Sequence, residues 1–125
     1  MTLEFVINEL PRTVNSIDKT RAWQVFAERK KWRKLIAEQL LAYRRNLEVA
    51  SRLPLAKCKC TFVRVSSREP DYDNMVASFK APTDSLMFNG IIKDDHPTVM
   101  KSEYLWERAR PKHGHIKITI EEVGA

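Results

Sequence analysis

Two short acidic motifs carry the residues in this chain best suited to chemistry. Asp71-Tyr72-Asp73 comes first and Asp94-Asp95 some twenty positions later, with Lys80 and Asp84 between them. From Glu69 to Asp95 there are six acids and two bases, whereas the rest of the chain holds twenty bases and ten acids. Carboxylates crowded in a basic chain would repel a polyanion unless a divalent cation lay between them. Oxygen ligands of this kind suit Mg²⁺, which is usually held by one to three carboxylates, water and substrate phosphate. Basic surroundings with an acidic centre therefore predict metal-dependent chemistry on a phosphodiester. Taken alone, an Asp at a helix start is more often a cap and a double Asp in a loop more often a solvated turn than a site of chemistry. An EF-hand loop is excluded, because Asp71 and Asp73 would need a ligand at Met75 and a glycine at Val76.

The 125 residues fit one domain, 1–125, and carry a net charge of +6, which favours a polyanionic partner. The bases concentrate between Arg21 and Arg52, where nine face three acids. Arg29, Lys30, Lys31, Arg33 and Lys34 form the densest group, readable as a ridge for phosphates or as a solvated helix face. Cys58 and Cys60, the two cysteines, alternate in a β-branched stretch and are expected on one face of a strand as small core residues. A zinc site would need His113 and His115, far along the chain. With three glycines there is no phosphate-cradling loop of Walker type. No apolar run reaches the roughly 18 residues of a membrane span, and no signal-peptide pattern opens the chain, so a cytoplasmic protein is expected.

These residues need elements to position them. Leu3 to Ile7 reads as a strand, followed by a polar loop from Thr13 to Thr20 in which Asp18 could cap a helix. Apolar residues then recur every three or four positions from Arg21 to Leu47, which predicts one long amphipathic helix. Trp23, Trp32 and Trp106 are expected in the core. Cys58 to Val65 reads as a strand. A helix starting near Asp73 packs Met75, Val76, Phe79, Leu86 and Met87 and stops at Asn89-Gly90, with Pro82 kinking or dividing it. Val99 to Arg108 and His115 to Val123 read as strands joined in a hairpin. The expected fold is α+β, a small sheet of about four strands with two main helices packed on it.

The run Glu69-Pro-Asp-Tyr-Asp-Asn-Met75, the helix through Phe79 and Leu86, Gly90 and then Asp94-Asp95 resembles the RusA family of Holliday-junction resolvases. The likeness takes in the N-terminal strand, the Pro-plus-Asn loop and the long first helix. It implies a homodimer that cleaves branched DNA at four-way junctions in recombination and repair. Mg²⁺ is the implied cofactor, with Mn²⁺ a possible substitute and no small-molecule cofactor. Family members often come from bacteriophages or prophages and act in the bacterial cytoplasm. Position by position, Asp71, Asp73 and Asp95 match the family's metal-binding acids and Asn74 the Asn beside them. The family's lysine, one turn after the second Asp, falls on Ala77 here. Lys80, a further turn along, is the residue left to contact the scissile phosphate. Asn15, Asn74, Arg64 and Arg68, with Arg29, Lys30, Arg33 and Lys34 of the first helix, are the expected DNA contacts. The alternative is a relative that binds nucleic acid without cutting it.

Overall fold

The computed structural model describes residues 1–12 and 22–124. Asn15, Asp18, Arg21 and the polar loop lie outside the described residues. In chain order the elements are β1 (Thr2–Ile7), α1 (Ala22–Arg44), α2 (Leu47–Arg52), β2 (Cys58–Ser66), α3 (Tyr72–Ser78), α4 (Lys80–Phe88), β3 (Met100–Arg108) and β4 (His115–Glu122). The fold is α+β: a four-stranded mixed sheet in the order β1-β4-β2-β3, with helices packed on it.

Side-chain alternation builds the sheet. Leu3, Phe5 and Ile7 of β1 turn inward while Thr2, Glu4 and Val6 face solvent. β1 and β2 each run antiparallel to β4, and Ile118 stands opposite Phe5 on one side and Phe62 on the other. β2 and β3 are parallel, joined through α3 and α4. The expected β3–β4 hairpin is therefore not formed. The strands' own chemistry gives the reason. Ile116, Ile118 and Ile120 of β4 are fully buried and need a strand on either side. In β3 only Met100 is buried, and Lys101, Glu103 and Glu107 suit the open edge of a sheet.

Trp32, Ile36 and Leu40 fall at every fourth position and seal α1 onto the core. Glu28 continues that row and is 9% exposed. It accepts a 2.9 Å bond from Trp32 Nε1 and lies 3.4 Å from Lys31 Nζ, so its charge is compensated. Trp23, expected inside, is 62% exposed at the start of the helix, and Trp106 is half-buried. The helix also ends earlier than its apolar pattern suggests. Asn46 Oδ1 accepts from the amides of Glu48 and Val49 and starts α2, which leaves Leu47 exposed.

The second helical region is divided at Phe79 rather than at Pro82. Pro82 is the third residue of α4, where its missing N–H would have no partner within the helix. Gly90, with φ of 70°, ends α4 as expected. Its amide bonds Met87 O and the Ile91 amide reaches Leu86 O, which satisfies two terminal carbonyls. Cys58 and Cys60 are buried free thiols on one face of β2, with sulfurs 3.9 Å apart. Among the described residues, no helix is long and apolar enough to cross a membrane.

Candidate functional site

Three hollows run one after another along α3. The first, about 280 Å³, lies between the end of α3 and β3 and is lined by Ala77, Lys80, Asp95 and Tyr104 among others. The second, about 480 Å³, shares Tyr104 and extends to Glu69, Pro70 and Asp71. The third, about 490 Å³, shares those last three residues and reaches Arg64, Arg68 and Asn74. Together they make a groove with Asp71 midway and the Lys80–Asp95 pair at one end. Tyr104 is held as a wall by aromatic packing. Its ring stacks on Phe62 at 5.2 Å and 12°, and Phe79 tilts against both.

The acids do not all serve the same purpose. Asp71 occupies the N-cap position of α3, yet its side chain makes no capping bond, so its carboxylate is not used to hold the helix. Asp73, in the first turn, is exposed. Asp94 Oδ1 accepts the Asp95 amide at 2.7 Å and so shapes the turn. Asp95 sends its carboxylate to Lys80 instead, 3.6 Å from Nζ. Asp84 approaches the same ammonium at 3.1 Å, one helical turn along α4. Asp84, with Asp95 adding to it, holds the Lys80 ammonium above the usual lysine value against the small cost of its desolvation.

Asp71, Asp73 and Asp95 are not gathered. The seven residues of α3 rise roughly 10 Å, which sets Asp71 and the Lys80–Asp95 pair at opposite ends of the helix. Among the described residues, no three His, Cys, Asp or Glu side chains come together as a metal-holding group. The acids as arranged do not fit a metal ion within one chain. The two carboxylates that do converge, Asp84 and Asp95, meet around the lysine's own positive charge.

The basic residues also separate by environment. Arg29, Lys30 and Lys34 are exposed on α1. Arg33 is half-buried, its guanidinium 4.2 Å from the centre of the Phe88 ring, and its carbonyl accepts from Asn89 Nδ2. Arg64 is 9% exposed and donates from Nη1 to Pro11 O at 2.9 Å. Arg68 is exposed, and half-buried Asn74 lines the same hollow as both. Asp84 and Tyr104 were not among the expected site residues. The i,i+4 spacing from Lys80 carries the signal for Asp84, whereas nothing local in the sequence marks Tyr104. No family model matches the chain, and no curated protein matches it significantly.

Proposed function

We propose that the chain is a structure-selective DNA endonuclease that resolves four-way junctions by paired nicks, as the RusA family does. In this proposal it works as a homodimer, because a two-fold junction needs two matched cuts. It would require Mg²⁺ or Mn²⁺ and act in the cytoplasm of a bacterial cell on behalf of a phage or prophage. The supporting observation is Lys80. It sits with Asp95 in the groove that Ala77 also lines, and Ala77 is the position where the family pattern carries its lysine.

Lys80 would meet the scissile phosphate, with Asp84 and Asp95 directing its ammonium and keeping it charged. Arg29, Lys30 and Lys34 would bind backbone phosphates of the DNA arms, a contribution blind to sequence. Asp71, Asp73 and Asp95 are the candidate acids for the metal. Because they stand apart in one chain, the metal enters only as a requirement that a chelator tests. The experiment compares wild type and Asp73→Asn on a labelled synthetic junction, with Mg²⁺ and with EDTA. Symmetric nicks that vanish in the variant and in EDTA are expected. Undiminished cleavage by Asp73→Asn would remove this chemistry.

The separation of the three acids favours a second reading, a nucleic-acid-binding protein without cleavage. Junction binding in EDTA with no nicks under any divalent metal would select it.

A further inference from the structure

Arg33 and Arg64 each bury an unpartnered Nε, and of the two Arg64 is the more deeply buried. It lies on the sheet face that also carries Cys60 and Phe62, near the end of β2, where the helical cover gives way to the hollow beside Asn74. Nη1 is satisfied by Pro11 O, but Nε is buried with no hydrogen-bond partner among the described residues. Burial pushes the guanidinium pKa down, and no described carboxylate forms an ion pair that would offset this. A buried cation without a counter-charge is costly, and a group kept in that state is a candidate for an anionic ligand.

The hollow has the parts such a ligand needs. Ser66 is already committed: its hydroxyl donates to Arg68 O at 2.8 Å and accepts from Trp106 Nε1 at 2.9 Å. Those bonds hold the turn that brings Arg68 to the mouth of the hollow. Arg64, Arg68, Ser67 and Asn74 line the space and carry donors, although Arg64 Nε itself is covered. Glu69 and Asp71 line the same hollow, and their negative charge disfavours an anion close to them. A ligand is therefore confined to the arginine side, where a planar fork can grip tetrahedral oxygens.

We propose that Arg64, Arg68 and Asn74 form a recessed socket for one phosphate of a nucleic-acid strand, next to Asp71, which fixes the register of the strand along the groove. The identity of the ligand rests on reading the chain as a nucleic-acid protein; the buried, unpaired Arg64 beside the hollow does not. Arg29, Lys30 and Lys34 would take phosphates at the surface, whereas this socket would take one group in a defined position.

The test measures affinity for a fluorescent single strand and for a four-way junction in EDTA across a salt series. Wild type, Arg64→Met and Arg64→Lys are compared, with folding checked by circular dichroism and melting. Arg64→Met is expected to melt no lower than wild type, to bind about tenfold more weakly, and to lower the slope of log affinity against log salt by about one phosphate contact. Arg64→Lys should fall between the two. Inorganic phosphate alone should raise the melting temperature of wild type and leave that of Arg64→Met unchanged. Folded Arg64→Met with wild-type affinity and slope would overturn the socket. So would phosphate stabilising both proteins equally, or raising the wild-type melting temperature without the strand losing affinity in the variant. If Arg64→Met does not fold, Arg68→Ala, at an exposed position, and Asn74→Ala, at a half-buried one, decide, and unchanged slope and affinity in both would overturn it. A wild type that never nicks a junction, yet loses affinity through Arg64→Met, sinks the endonuclease reading and keeps the socket. Normal nicking and binding by Arg64→Met does the reverse.

Discussion

Lys80→Met removes an ammonium and keeps most of the apolar stem, so it separates what Lys80 does for the fold from what it does for DNA. Its side chain is 64% exposed, and its contacts with Asp84 and Asp95 are surface ion pairs at 3.1 and 3.6 Å. Exposed pairs of this kind contribute about 0–1 kcal/mol. For a chain of this length that corresponds to a fall in Tm of no more than roughly 4 °C. A cation stabilising charge at a phosphate during cleavage is worth far more, about 2.7–4 kcal/mol, or a 10²–10³-fold loss of rate. The assay is single-turnover cleavage of a labelled four-way junction beside a thermal melt of the same preparation. Expected are a Tm within a few degrees of wild type and cleavage reduced at least 100-fold. Adding Ala77→Lys to that variant should restore part of the rate, since position 77 lines the same hollow. Wild-type cleavage by Lys80→Met would refute the role given to this lysine. A collapse of Tm would refute the reasoning about its exposure.

Pro82→Ala should lower stability by less than about 1 kcal/mol in urea unfolding, because proline in the first turn restricts the unfolded chain without breaking a helical bond. A large gain in stability would instead mean that Pro82 strains the interior of a helix. Trp32→Phe removes the donor that meets Glu28 Oε1 at 2.9 Å inside the protein, and should cost about 1–3 kcal/mol by the same method. The Lys80 pairs also predict a pH signature. A lysine whose folded pKa is raised contributes fully below its unfolded value near 10.4 and loses that contribution as pH rises through the folded one. The Tm difference between wild type and Lys80→Met should therefore be flat from about pH 6 to 9 and close only in strong alkali.

Strand and helix types were readable wherever alternation or a three-to-four spacing was strong, as in β1, β2 and the row Trp32-Ile36-Leu40. Boundaries set by single polar side chains were harder. Asn46 ends one helical run by capping the next, and the periodicity of the apolar residues continues past it to Leu47. Pairing was the least legible part. β3 and β4 are neighbours in sequence, but their partners are chosen by burial on both faces, which appears only when the sheet is assembled. At the site, the adjacent Asp94 and Asp95 differ in a way that only the fold displays, since one carboxylate shapes the turn and the other faces Lys80. The spacing of Asp71, Asp73 and Asp95 suggested a gathering that the length of α3 does not produce. Arg64, an expected DNA contact, is buried, and a lone arginine in a strand gives no local sign of that.

The place of β4 between β1 and β2 has a consequence for synthesis. β1 precedes the other elements in the chain, yet among the described residues its partner in the sheet is built from residues 115–122. Leu3, Phe5 and Ile7 thus wait without cover on the sheet side until nearly all of these 125 residues have left the ribosome. Closure of the sheet must wait for β4, and a chain stalled before Ile116 would expose two sticky strands to chaperones and proteases.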